Sequence, residues 1–360
     1  PVARDYFRVS HAPRDQFGLF VIDRFGNREL LYLDRAMGSM CPTIYRAVQP
    51  PPVLSEGAGL VAEQGRAEEW GQFFLADVYQ GLGPAVPRGS VKYLRVTEEV
   101  RSGLTRLADG SYQNAHEPFV HWYAAPVDKV HGPFGWPSYV AKTSWGLVPV
   151  HEDGSASFYA PPGRQLYFQV LDEKLNELQR MRSVVQVQPG ERQSCIGCHE
   201  DRRHAPTVRR ATALKHQPLA IEPPPWGPKP FSYERVVQPV LDAKCVSCHD
   251  AEDKQGLNLA GTLDADRVPA SYRTLITQGW VHYFDFGYKS GENWKAEPLT
   301  FGSLKSKLWE VLDAGHYEVQ LTEAEMRTIK CWTDLNCPLW PDYMDRKNRP
   351  GPQIAVNVKD

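Results

Sequence analysis

An α+β, loop-rich chain is what the sequence predicts: a β-sandwich-like domain followed by a small, mostly helical domain. Three observations carry that reading. Between residues 72 and 190, short β-branched and aromatic runs alternate with Gly, Pro and Asp turns, the rhythm of a sandwich. After the Pro-rich stretch Ile221-Glu-Pro-Pro-Pro-Trp-Gly-Pro-Lys-Pro, the pattern changes to helical periodicity. The 360 residues also exceed one typical core, so two or three domains are expected.

Taken in order, residues 1–60 predict an N-terminal β-hairpin and a linker. Phe17 to Asp23 reads as a strand, Phe25-Gly26-Asn27 as a turn, and Glu29 to Leu33 as the return strand. A lone hairpin is marginal, so this one needs a neighbour. Pro and Gly between 47 and 59 mark the linker. Residues 61–192 form the sandwich-like domain. Its candidate strands are Phe73 to Tyr79, Val91 to Val96, Leu147 to Val150, Ala156 to Ala160, Leu166 to Leu171 and Ser183 to Val187. Asp153-Gly154 makes a hairpin turn between the third and fourth of these. The stretch from 110 to 146 reads as a long aromatic loop bearing His116, His121 and His131, and loops of that length tend to be functional or disordered. Residues 193–230 hold a first Cys motif and the Pro-rich linker, and 231–360 the helical domain with a second motif. An amphipathic helix from Phe231 to Lys244 leads into that motif, and Thr322-Glu-Ala-Glu325 is a capping box opening a terminal helix stopped by Pro338.

Bulk composition narrows the function classes. A formal net charge of −2 gives no electrostatic case for nucleic acid or an anionic membrane. No apolar run reaches the roughly 18 residues of a membrane span. Pro (30) and Trp (10) are plentiful, which suits loop-rich construction around large flat surfaces.

The two motifs are Cys195-Ile-Gly-Cys198-His199 and Cys245-Val-Ser-Cys248-His249. Both fit C-x-x-C-H, the attachment signature of c-type haem: two thiols add across the haem vinyl groups and the adjacent imidazole is placed under the iron. A Cys₄ zinc site or two redox dithiols would use the cysteines but leave each trailing His unexplained. With 11 His in 360 residues, two such placements by chance have odds of roughly 1 in 1,000. The expected cofactors are therefore two covalent haem c groups, and the helical domain is expected to be of the cytochrome c type. Covalent attachment takes place outside the reducing cytoplasm, so a periplasmic or otherwise exported location follows. The opening Pro1-Val-Ala-Arg-Asp lacks the apolar core of a signal peptide and reads as a mature or truncated form. Of the three remaining cysteines, Cys331 and Cys337 are expected to pair as a short-loop disulfide in an oxidising compartment, leaving Cys41 as an odd thiol, inert or a metal ligand.

His199 and His249 are the expected proximal ligands. His316, in Asp313-Ala-Gly-His-Tyr just before the capped helix, is the best distal candidate for the second haem; the alternative is a surface loop histidine. For the first haem His116, His121, His131 and His204 compete, and His121, within Phe119-Val-His-Trp-Tyr, reads equally well as a hydrogen-bonded core histidine. Arg202, Arg203, Arg209, Arg210 and Lys215 follow the first motif as a basic cluster, suited to haem propionates, an acidic partner or plain solvent.

The stretches Val148-Pro-Val-His-Glu-Asp-Gly-Ser-Ala, Tyr167-Phe-Gln-Val-Leu-Asp, Met181-Arg-Ser and Pro189-Gly-Glu-Arg-Gln-Ser-Cys-Ile-Gly-Cys-His resemble the middle region of the hydrazine synthase alpha subunit and its broader relatives. Gly302-Ser through Trp332-Thr-Asp-Leu-Asn-Cys-Pro is similar to the C-terminal cytochrome region of that group, and Phe17 to Tyr32 to the end of its β-propeller. The resemblance implies a propeller remnant at the N-terminus. It also implies a first haem whose iron is approached by a Tyr shortly after the motif, with the motif His and a Cys holding zinc. This sequence departs from that pattern: Glu200, Asp201, Arg202, Arg203 and His204 follow His199, with no Tyr. If Cys41 matches the zinc-ligating Cys, His199 shares zinc and His204 becomes the replacement ligand.

Three functions follow as expectations. The first is an exported dihaem cytochrome carrying electrons as a subunit of a redox complex, with redox partner proteins or other subunits as its partners. The second is a haem oxidoreductase acting on a small nitrogen compound, as the resemblance implies. The third is an assembly or interaction subunit.

Overall fold

The computed structural model describes residues 5–12, 16–43, 70–101, 104–106, 112–114, 141–181, 183–198, 210–253, 256–264, 268–283 and 297–341. The chain divides into two compact units, Pro1–Val61 and Ala62–Asp360. In the first unit β1 (Tyr6–His11), β2 (Gly18–Asp23) and β3 (Arg28–Tyr32) form an antiparallel meander in that order. The turn between β2 and β3 is made by Asp23, whose carboxylate accepts the N–H groups of Phe25 and Asn27, with Gly26 at φ +90°. The expected hairpin is present, and β1 is its neighbour, paired from Tyr6↔Asp23 to His11↔Gly18.

The second unit opens with two sheets. β5 (Tyr93–Glu99), β8 (Lys142–Pro149), β10 (Leu166–Leu171) and β11 (Glu177–Arg180) form one sheet in the order β11-β10-β5-β8. The other sheet, in the order β12-β4-β9, contains β4 (Gly71–Leu75), β9 (Ala156–Ala160) and β12 (Arg192–Cys195). A small ribbon joins β6 (Leu104–Arg106) and β7 (Tyr112–Asn114). Alternate residues of both main sheets enter one core: Phe73 and Leu75 from β4, Phe158 from β9, Leu94 and Val96 from β5, and Leu166, Phe168 and Val170 from β10. Phe73, Phe158 and Phe168 meet at its centre with ring centroids 5.1–5.8 Å apart.

Two strand expectations need correction. Asp153-Gly154 does make a tight turn, with His151 N–H donating to Ser155 O at 2.9 Å and Gly154 at φ +85°. The strands it joins, however, enter different sheets. The backbone of 219–222 lies between them: Leu219 pairs with Ser157 and Tyr159 on β9, and Glu222 exchanges two 2.9 Å bonds with Leu147 on β8. Gly146, at φ +133°, permits this because any Cβ there would run into Glu222. Ser183 to Val187 is not a strand either. It makes a single bridge, Leu166↔Val185, since β11 has taken the edge of β10 beyond it.

The helical part holds α1 (Tyr233–Val236), α2 (Gln238–Lys244), α3 (Ala270–Thr277), α4 (Lys307–Asp313) and α5 (Glu323–Asp334). The single helix expected over 231–244 breaks at Val237, just ahead of Pro239, which sits at the start of α2 where a missing N–H costs nothing. At α5 both halves of the Thr322–Glu325 capping box are formed, at 2.7 and 3.2 Å. Trp332 is fully buried and packs on Tyr233 and Tyr272. The end of α5 is fastened to the sheet. Asp334 pairs with Arg95 of β5 at 3.1 Å, and its backbone carbonyl accepts from Gln169 of β10 at 2.7 Å, all three residues being buried. Arg180 and Glu177 form a buried ion pair beside them.

Cys331 and Cys337 are free thiols, against the expected disulfide. Leu335 ends the helix, and Asn336 and Cys337 adopt left-handed φ of +69° and +53°. This turn leaves the thiols unbonded although Asp334 acts on both: Cys331 also has Arg95 and Ser144 near it, Cys337 Arg180 and Lys142. Burial pushes both thiols above the ordinary range.

Candidate functional site: two cysteine motifs and two facing histidine pairs

The second motif is a helix terminus. Cys245 N–H donates to Leu241 O at 2.8 Å, closing α2, and Cys248 and His249 then turn back on Cys245 O at 3.1 and 3.0 Å. The turn sets Cys245 against the helical core and leaves Cys248 exposed. Burial pushes the Cys245 thiol up to about 11, so it is a poor thiolate. His249 Nδ1 is 2.9 Å from the Asp253 carboxylate. That contact fixes the ring and leaves Nε2 as the coordinating nitrogen, the usual support for a metal-binding histidine.

His316 arrives from the other side of the sequence. α4 ends at Asp313; Gly315, at φ +87°, takes the left-handed position that closes a helix, and Tyr317 follows at φ +50°. This double reversal directs the His316 ring onto His249, with centroids 5.8 Å apart and planes within 20°. A metal held between two imidazoles, with metal–nitrogen bonds of about 2.0–2.1 Å, puts ring centroids roughly 5–6.5 Å apart. The spacing of these stacked rings matches that of two imidazoles flanking a metal, which each would bind by turning its in-plane nitrogen toward it. A haem iron, whose ring supplies the remaining four nitrogens, matches a site that offers two.

The first motif is built on a strand. β12 runs parallel to β4 and delivers Cys195 opposite Leu75; Ala76 N–H then donates to Cys195 O at 2.9 Å and Asp77 N–H to Ile196 O at 3.1 Å. Gly197 packs so closely on Gln80 that a side chain has no room. Cys195 and Cys198 both lie against the sandwich core, and burial pushes Cys198 up to about 12, with Cys195 and Asp77 adding to it. The four motif cysteines thus split between two cores, and among the described residues no group of three or more His, Cys, Asp or Glu converges on one point. A shared Cys₄ zinc site is not assembled. His199, His204, His116, His121 and His131 lie outside the described residues, as do Arg202, Arg203 and Arg209. Arg210 and Lys215 are exposed. Cys41 is an exposed thiol of the first unit, at φ +52°.

Sequence reasoning passed over one feature of the same kind. His151 and His216 face each other with centroids 5.7 Å apart and planes within 20°, nearly the geometry of His249 and His316. Their separation in sequence gave no signal; only the contact of the 151–155 turn with the 3₁₀ turn Thr212–Lys215 creates the pair.

Residues 89–200 match the family model described as the hydrazine synthase alpha subunit middle domain. No curated protein matches the chain. Among solved structures, Kuenenia stuttgartiensis hydrazine synthase is similar over 92% of this chain and 53% of that chain, with a TM-score of 0.56 and 18% identity. At that identity the likeness is one of fold, and this chain spans about half the length of the other. The matched segment contains strands β5 to β12 and runs through the first Cys motif. Residues 89–200 are thus similar to the hydrazine synthase alpha subunit middle domain, and the fold of the chain is similar to that of part of hydrazine synthase.

Proposed function

We propose that this chain is a dihaem c-type cytochrome subunit of an exported redox complex, with Cys195, Cys198, Cys245 and Cys248 as the thioether anchors. The observation that carries the reading is the His249–His316 pair, 5.8 Å apart at 20°, in which one partner is the histidine of a C-x-x-C-H motif. Bound haem supplies one-electron transfer; the chain's part is to set its potential through axial ligands, hydrogen bonding and burial. His249 and His316 would hold the second haem, and with both imidazoles bound it would be suited to carrying electrons and closed to substrate. Asp253 holds His249 in place. Other subunits or soluble redox proteins are the partners.

The test has two parts. The mature protein should carry the mass of two covalent haems; a colourless chain of bare mass rejects the proposal. His316→Ala should then convert one low-spin signal in the oxidised protein to high-spin, and an unchanged spectrum rejects the ligand assignment.

A second reading has its own support. The hydrazine synthase alpha match extends through the first motif. On this reading the first haem keeps an open position, acts on a small nitrogen compound and is fed by the second. A persistent high-spin signal in the wild type, with carbon monoxide binding to one ferrous haem, favours it. Two low-spin haems that both refuse carbon monoxide eliminate it.

A further inference from the structure

We infer that His151 and His216 bind one transition-metal centre between their rings. The spacing and tilt, 5.7 Å and 20°, nearly equal those of His249 and His316 and fall within the roughly 5–6.5 Å expected for two imidazoles sharing a metal. The pair is not a chance meeting of loose side chains, because the two backbones are stitched together. The Asp153 carboxylate accepts the Thr212 N–H at 2.7 Å and the Ser155 hydroxyl at 2.6 Å, and the Ser155 hydroxyl oxygen accepts the Ala213 N–H at 3.0 Å. Ser155 and Ala213 are buried. Two neutral imidazoles gain little from facing each other in water, and two protonated ones repel. A metal between them turns that arrangement into a favourable one.

The place suits a metal centre as well. Gly154, in the same turn as His151, accepts the Val78 N–H at 2.8 Å, and the next residue back, Asp77, is bonded to Ile196 of the first Cys motif. The pair and that motif therefore share one end of the sandwich. No third His, Cys, Asp or Glu converges on the pair among the described residues. The remaining coordination must come from a macrocycle or from water. Two sources meet this chemistry: the iron of the haem on Cys195 and Cys198, which would then be held by His151 and His216 in place of His199, or a free divalent ion of the imidazole-preferring class, such as Cu²⁺ or Zn²⁺. Only the first source rests on the haem reading above.

The test uses the purified mature protein with His151→Gln and His216→Gln made singly. His216 is exposed, so its replacement leaves the fold intact, as far-ultraviolet circular dichroism will verify. Oxidised samples are compared by low-temperature electron paramagnetic resonance, and chelator-treated samples are titrated with Zn²⁺ by calorimetry. Conversion of the same low-spin haem signal to high-spin in both variants identifies haem iron as the source. Unchanged haem signals, with one equivalent of Zn²⁺ bound by the wild type and affinity at least about tenfold weaker in both variants, identify a free ion. The inference is overturned if neither readout moves, or if only one of the two substitutions has an effect. A colourless protein would sink the haem proposal and leave the Zn²⁺ titration decisive here.

Discussion

At the scale of single residues, Asp253 and Lys142 make opposite use of charge. Asp253 sits 2.9 Å from His249 Nδ1, where its carboxylate would make the imidazole a stronger electron donor to a bound metal. On the proposed ligand role, stronger donation favours ferric over ferrous iron. Asp253→Asn should therefore keep two haems bound and raise the reduction potential of one of them in a spectroelectrochemical titration; a potential that falls or stays put contradicts the ligand role. Lys142 is buried over the Tyr167 ring, and desolvation lowers its pKa to about 8 against Glu99, which raises it. Its folded pKa lies below the unfolded one, so the unfolded chain binds more protons between pH 8 and 10.5, and stability from this group rises with pH across that window. The shift corresponds to about 3 kcal/mol at neutral pH. Lys142→Met should raise the denaturation midpoint at pH 7 and flatten the difference between pH 8 and 10, as urea melts at several pH values will reveal.

Among elements, the terminal helix α5 illustrates how much of the fold is legible in sequence. Thr322-Glu-Ala-Glu325 announces its start because capping chemistry is local, and the structure forms both reciprocal bonds. Thr322→Ala should cost about 1 kcal/mol, measured as a lowered urea midpoint with the haem spectrum unchanged. The Asp153-Gly154 turn was equally readable, for the same local reason. What the turn joins was not, because the backbone of 219–222 that separates β8 from β9 comes from far along the chain. The same holds for the candidate site. The C-x-x-C-H motifs are legible as contiguous residues, and His316 is legible through its place in a Gly-bearing loop. His151 lacks any local mark: it lies in Val-His-Glu-Asp-Gly, and its partner belongs to a different element. β11 and β12 escaped notice because Glu-Leu-Gln-Arg and Arg-Gln-Ser-Cys carry little apolar pattern; pairing with β10 and β4 makes them strands.

Across the whole second unit, sheet and helices are joined by buried charge rather than by apolar packing alone. Arg95 reaches Asp334 and Gln169, and Gln169 reaches Glu177 and the Asp334 carbonyl. Breaking such a network leaves uncompensated charge in the interior. Arg95→Met should lower stability by about 3–5 kcal/mol, and Asp334→Asn added to it should recover part of that loss, a non-additivity that a double-mutant cycle in urea will quantify. β12 has a further consequence for how the molecule is made. Its last residue is Cys195, it closes the β12-β4-β9 sheet, and Gly197 is wedged on Gln80 immediately afterwards. Once that strand docks, the first pair of thiols is no longer a loose peptide that an attachment enzyme can grip. If haem is joined to Cys195 and Cys198 as proposed, attachment is easiest before β12 docks on β4, so slowing the docking of residues 192–195 should raise the yield of haem-bearing protein in cells that carry the attachment machinery.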